Sequence, residues 1–329
     1  MIPARQTADA DGAPARHSTP IVVLSKCLEQ EACRYNGQVI RDDFVRDLEP
    51  FVRYLKICPE VEVGLGVPRD PIRLVRIGGT TRLIQPSTDR DLTQVMRTFA
   101  DSYLGSLGGV DGFILKNRSP SCGLKDVKVH ADSGGGLATG RGAGLFGEQV
   151  IDRFGHLAVE DEGRLKNPHI RHHFLTRLFA FASFRSIETK PAIRDIVAYH
   201  STNKLLFMAH NQTGTARLGE VVANHDRRGV RDLAAAYRDE LARVLARPAR
   251  PNAWVNVAQH AFGYVSDALS KRERVFFDTL LDDYRAGHQP LQSVSSVLAG
   301  WLARLDVRYL EAQTLFEPYP SRLFRLEHR

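Results

Sequence analysis

No cysteine occurs beyond residue 122 of this 329-residue chain, and none of the four present forms a C-x-x-C pair. That spacing excludes a zinc-finger clip, a rubredoxin-like clip and a ferredoxin-type run. Four unevenly placed cysteines in a chain of this length also argue against a disulfide scaffold and for a reducing compartment. No stretch approaches the roughly 18 consecutive apolar residues of a membrane helix. The first 19 residues lack a hydrophobic core segment and read as a disordered tail, not a signal peptide. A cytoplasmic protein with no membrane association is expected. No G-x-G-x-x-G is expected to open a helix directly after a strand, which argues against a dinucleotide site.

The cysteines that are present occupy informative places. Cys27 closes the apolar run Ile21-Val22-Val23-Leu24-Ser25, Cys58 follows a second apolar stretch, and Cys122 lies just beyond Phe113-Ile114-Leu115. Three thiols delivered to the exits of strand-like segments can converge on one soft metal centre. Buried cysteine is common in ordinary cores, but placement in three Pro- or Gly-containing turns weighs against that reading.

Strand-like segments alternate with helical ones through the first half. Strands are expected at 20–25, 72–77 and 111–116. Helices are expected at 41–55 and from an N-cap in Ser87-Thr88-Asp89 to about residue 107. The pattern predicts an α/β domain with a parallel sheet over 20–155, its ligand site outside the carboxyl ends of the strands. Gly134-Gly135-Gly136 lies in a glycine-rich stretch at 131–147, expected to be a mobile loop beside the cleft. Glu160-Asp161-Glu162-Gly163-Arg164 reads as a linker. From 168 to 329 apolar residues recur at helical spacing, and Pro248, Pro251 and Pro290 separate several helices, so an all-α domain is expected. Residues 1–150 carry 19 Lys and Arg against 18 Asp and Glu, whereas residues 151–329 carry 26 against 20. The basic excess thus sits in the helical half and suits a polyanion such as RNA.

Longer motifs surround the cysteines: Cys27-Leu28, Arg34-Tyr35-Asn36-Gly37, C-P-E-V-E-V-G-L-G-V-P-R at 58–69 and S-P-S-C-G-L at 119–124. Together they resemble the thiouracil desulfidase family. The stretches from Tyr199-His200 to His210 and from Asn256 to Tyr264 resemble a helical domain of unknown function often fused to that enzyme. The fused form resembles bacterial desulfidases that remove sulfur from 4-thiouridine in tRNA. This resemblance implies a [4Fe-4S] cluster held by Cys27, Cys58 and Cys122, with one iron left open for the sulfur of a thiocarbonyl and with thiolated tRNA as partner. Cys33 is left out as a ligand. The loop after Cys27 departs from the family pattern at Glu29-Gln30 and Asn36-Gly37-Gln38.

Adding water to a thiocarbonyl carbon requires a proton carrier. Glu60, two residues after Cys58, is the first candidate and Glu62 the alternate; a turn-capping Glu60 or one paired with Arg69 is the bland reading. Ser119 and Ser121 beside Cys122 are candidates for hydrogen bonds to substrate or sulfur, although such serines often bond only their own backbone. Arg69 and Lys116 are candidate phosphate or base contacts. His200 and Lys204 share a helix face and are candidate RNA contacts. Two other readings remain open: a desulfidase of free thiobases such as 2-thiouracil, and a non-enzymatic metal- or RNA-binding protein.

Overall fold

A computed structural model describes residues 17–132 and 138–324, in two compact units. One holds residues up to Arg185 and from Arg322 onward, and the other is Ser186–Ser321. The expected tail lies outside the described residues as far as residue 16, as does Gly134-Gly135-Gly136. No helix among the described residues is long and apolar enough to cross a membrane.

The first unit is α/β, as the alternating pattern predicts. Its elements run β1 (Ile21–Ser25), α1 (Asp43–Leu48), β2 (Arg53–Ile57), α2 (Pro59–Glu62), β3 (Arg73–Ile77), β4 (Thr80–Gln85), β5 (Arg90–Asp91), α3 (Thr93–Ser106), β6 (Gly112–Leu115), β7 (Val127–His130), β8 (Ala138–Gly142), α4 (Leu145–Phe154), β9 (Ala158–Asp161) and α5 (Pro168–Glu188). Four strands form a parallel sheet in the order β2-β1-β6-β9. Val22, Val23, Leu24, Phe113, Ile114 and Leu115 are all buried, as strands covered on both faces must be.

Several boundaries differ from the sequence expectation. The helix expected to reach residue 55 ends at Leu48, and after a 3-10 turn over Glu49–Phe51 the chain enters β2, because Tyr54 and Leu55 pair with β1. Residues 72–77 do not join the parallel sheet. They form β3 of a second, five-stranded sheet, order β5-β4-β3-β7-β8, whose pairs are antiparallel except β3–β7. Ser87-Thr88-Asp89 forms the turn between β4 and β5, and the helix starts only at Thr93, where Asp91 accepts the Thr93 amide at 2.9 Å. Glu160 and Asp161 end the edge strand β9 and are no linker.

The unit boundary also lies later than the expected junction at 155–168, because α5 is buried nearly all round through Phe174, Leu175, Leu178, Phe179, Phe181 and Phe184. Phe174 meets Phe44 edge-on at 6.5 Å. Arg185 grips the fully buried Asp111 at 2.9 Å, and that carboxylate also accepts the Ile21 amide at 2.7 Å. These contacts attach α5 to the α/β unit up to Arg185.

The second unit is all-α: α6 (Ile193–His210), α7 (Gln212–Ala223), α8 (Val230–Val244), α9 (Pro251–Gly263), α10 (Lys271–Ala286) and α11 (Leu291–Leu305) are its main helices. Its core gathers Leu205, Leu206, Trp254, Val255, Phe277, Leu281 and Leu298. Phe262 stacks on Phe277 with ring centroids 4.8 Å apart. A capping box at Ser270 and Glu273 starts α10.

One tertiary contact positions the chain around Cys122. The first turn of α4 lies against the segment 119–124: the Phe146 and Gly147 amides donate to the Ser121 carbonyl at 2.9 and 3.0 Å, and the Gly144 amide to the Gly123 carbonyl at 2.8 Å. A Cβ on Gly147 would stand 2.5 Å from the Gly123 oxygen and 2.8 Å from the Cys122 oxygen; one on Gly144 would stand 2.6 Å from the Ser121 carbonyl. The described part of the glycine-rich stretch is therefore a strand and a helix start that clamp the cysteine turn. Against expectation, Gly142-Ala143-Gly144-Leu145-Phe146-Gly147 is a G-x-G-x-x-G between β8 and α4, but β8 pairs antiparallel with β7 outside the parallel sheet, and Gly144 and Gly147 are taken up by the carbonyls of the cysteine turn. Because backbone carbonyls cannot swing away like a side-chain end, Gly147→Ala should destabilise the protein by about 1–3 kcal/mol, the range for overpacking. Denaturant unfolding beside wild type checks this; an unchanged midpoint would mean that the clamp yields freely.

Candidate functional site

The four parallel strands end on one edge, and the chain leaving each carries chemistry to it. Cys58 follows β2 directly, Cys27 lies two residues past β1, Lys116 opens the segment leading from β6 to Cys122, and Glu162 follows β9. The order β2-β1-β6-β9 reverses direction between β1 and β6, the place where open α/β sheets form their crevice. There a cavity of about 720 Å³ is lined by Cys27, Cys33, Cys58, Cys122, Glu60, Ser119, Lys116 and Glu162 among others.

All four thiols are free. Cys33 lines the same cavity and its carbonyl accepts from Cys58 Sγ at 3.7 Å, so it belongs to the group although the motif reading sets it aside. The contact with Cys27 above all pushes the Cys33 thiol up to about 11. The hydrogen bond with Cys33 and burial raise Cys58. Burial, with Cys58 and Glu60 nearby, pushes Cys122 up to about 12. Without a metal, Cys33, Cys58 and Cys122 are therefore neutral, buried thiols at pH 7.

That donor set fits a thiophilic metal group, whose binding would displace the thiol protons. Among the described residues no three His, Cys, Asp or Glu converge on one point as a single ion needs.

Beside the thiols, Glu60 and Arg69 are nearly buried, at 13% and 4% side-chain exposure. Arg69 donates from Nε and Nη2 to Glu60 Oε2 at 2.8 and 2.6 Å, and from Nη1 to the carbonyls of Cys33 and Gly66 at 3.0 and 2.9 Å. Four of its five N–H groups are taken by protein acceptors, so the expectation of a substrate contact at Arg69 is corrected: it is chiefly a brace. The other carboxylate oxygen, Oε1, accepts the Ser121 hydroxyl at 2.6 Å. Ser121 Oγ lies 2.9 Å from Ser119 Oγ and 3.8 Å from Cys122 Sγ. Glu60 thus pairs with Arg69 and also faces the cysteine turn. Glu62 is exposed, pairs with Lys26 at 3.9 Å and does not line the cavity.

Lys116 lines the cavity, and its Nζ is bonded to Glu162 and to the Asn117 carbonyl, the latter at 3.0 Å. Glu162 also accepts the Asn117 amide at 2.7 Å. The sequence hid Glu162 inside a charged run that looked solvated. Arg34, Arg118 and Lys166 also line the cavity, and none has a carboxylate partner among the described residues. Arg34 lies over the Tyr35 ring, 5.4 Å from its centroid.

His200 and Lys204 lie on α6 and do not line this cavity. His200 Nδ1 is 3.1 Å from the Tyr237 hydroxyl, and burial with Lys204 nearby lowers its pKa, so it is a neutral, half-buried partner of a core tyrosine. The expected RNA contact at His200 is corrected on that ground. Lys204 is exposed.

Residues 22–162 match the family model of 2-thiouracil desulfurase, and residues 204–320 match that of a protein of unknown function, DUF1722. The uncharacterized protein YbgA of Escherichia coli (strain K12) is 32% identical over 156 residues, 47% of this chain and 92% of that protein. The uncharacterized protein YbbK of Bacillus subtilis (strain 168) is 29% identical over 111 residues, 31% of this chain and 73% of that protein. Among solved structures, the [4Fe-4S]-dependent thiouracil desulfidase TudS is 28% identical, covers 45% of this chain and 94% of its own, and gives a TM-score of 0.37. The chain belongs to the 2-thiouracil desulfurase family, with a DUF1722 region following the desulfurase domain.

Proposed function

We propose that the chain is an iron–sulfur desulfidase that converts thiolated uridine in tRNA, 4-thiouridine, to uridine and sulfide. The observation that carries this reading is the meeting of four thiols and a braced carboxylate in one cavity at a parallel-sheet edge. Cys27, Cys58 and Cys122 would hold a [4Fe-4S] cluster. When bound, the cluster would supply a soft, Lewis-acidic iron for the sulfur of a thiocarbonyl.

The chain's own residues handle water and protons. Overall, the thiocarbonyl and one water become a carbonyl and one hydrogen sulfide, with no net electron transfer. Arg69 occupies Glu60 Oε2 with two N–H groups, so proton exchange falls to Oε1. From there Ser121 and then Ser119 form a hydrogen-bonded path to the partly exposed side of the turn. Glu60 takes the proton of the water that adds to the ring carbon and returns it to the departing sulfur.

Arg34, Arg118 and Lys166 support a polyanionic substrate, since cations at a cleft without acidic partners attract phosphate. The basic balance of residues 151–329 supports the same partner. A free thiobase would use the same thiols and Glu60 but would give those three cations no phosphate to meet.

Cys122→Ala should lose most of the iron that reconstituted wild type retains, whereas Cys33→Ala should keep it, as iron and acid-labile sulfide assays per chain would show. Equal loss in both variants would make Cys33 a ligand. Glu60→Gln should keep the iron but slow turnover by roughly 10²–10⁴-fold, the usual worth of a positioned acid or base. Single-turnover rates on thiolated tRNA measure this, and normal turnover would remove Glu60 from the chemistry.

A further inference from the structure

The two helical stretches that stood out in the sequence meet at a second hollow, within the all-α unit and outside the chemistry described above. Met208 and His210 end α6, Gln212 begins α7, and Asn256, Gln259 and His260 project from α9. The hollow measures about 510 Å³, inside the roughly 300–1,000 Å³ span of small-ligand sites. No carboxylate lines it. Its wall offers three carboxamides, each with a donor and an acceptor, and two imidazoles. His210 Nδ1 donates to the Leu206 carbonyl at 3.0 Å.

An aromatic surface adjoins this polar wall. His260 meets Tyr264 edge-on with centroids 5.7 Å apart, and Tyr264 lies 5.2 Å from Tyr309. Tyr264 is nevertheless 48% exposed, so much of its ring is left to solvent. Lys204, exposed, stands one turn before Met208 on α6, on the same helix face. Amide side chains that match a base edge, an exposed aromatic ring for stacking and a nearby cation form the combination that holds an unpaired base of RNA.

We propose that this hollow binds a single unstacked nucleobase of RNA, read by Asn256 and Gln259 and stacked on Tyr264. The inference rests on the RNA reading above, but it places recognition in the all-α unit and needs no sulfur chemistry. Binding of an unthiolated tRNA transcript to the full-length protein, followed by fluorescence anisotropy across a salt series, tests it. Tyr264→Ala should weaken binding by about 5- to 150-fold, the worth of one base–aromatic stack. Tyr264→Phe should restore it. The salt slope should stay at the wild-type value, because no phosphate contact is removed. The paired substitutions Asn256→Ala and Gln259→Ala, both at exposed positions, should also weaken binding, and a fully paired RNA duplex should bind all variants equally.

Unchanged tRNA affinity in Tyr264→Ala and in the amide variant would overturn the proposal, as would equal loss on the duplex. Turnover of the free 4-thiouridine nucleoside by the same variants separates the two readings. A protein that binds the transcript through Tyr264 yet never releases sulfide keeps this inference and loses the desulfidase.

Discussion

The ion pair between Arg69 and Glu60 ties together the segments that carry the thiols. Arg69 reaches the carbonyl of Cys33, Glu60 lies two residues past Cys58, and the second oxygen of Glu60 holds Ser121 beside Cys122. A nearly buried pair of this kind is costly to desolvate and is sustained only when its remaining donors and acceptors are satisfied. Here the guanidinium also bonds two carbonyls and the carboxylate a serine hydroxyl. Removing either partner would strand a charge and loosen the turns around Cys33, Cys58 and Cys122 together. The same pair gives the two oxygens of Glu60 different partners, Oε2 the guanidinium and Oε1 the Ser121 hydroxyl.

Sheet topology brings these turns into reach. Parallel strands send every exit to one edge, and the reversal of order between β1 and β6 opens a crevice there. Thiols, carboxylates and cations thus arrive from positions as far apart as residue 27 and residue 166. The turn carrying Cys122 is held from outside by α4, whose glycines admit the carbonyls of that turn. The backbone that carries Cys122 is thereby fixed in place beside the other three thiols of the cavity.

Much of this was legible because certain residues carry chemistry wherever they stand. Cys27, Cys58 and Cys122 followed apolar runs, and buried parallel strands read as such runs. The helical half was legible from periodicity alone. What the sequence concealed were partnerships. The alternation in 72–77 identifies a strand but not its neighbours, so β3 was placed in the wrong sheet. Arg69 looked available until its hydrogen bonds were seen, and His200 until Tyr237 was found against it. Glu162 is the opposite case: a charge run usually marks a solvated surface, but Lys116 and the Asn117 amide allow this carboxylate to be buried. The junction near Arg185 was hidden because α5 is apolar on every face and gives no sign of which core it joins.

The most direct test of the central claim is the nucleoside composition of 4-thiouridine-containing tRNA before and after incubation with the iron-reconstituted full-length chain, under anaerobic conditions and without reductant. The account predicts that 4-thiouridine disappears, uridine rises by the same amount, and one sulfide is released per uridine formed. Undiminished 4-thiouridine with a fully loaded protein, or conversion that depends strictly on an added electron donor, would contradict it.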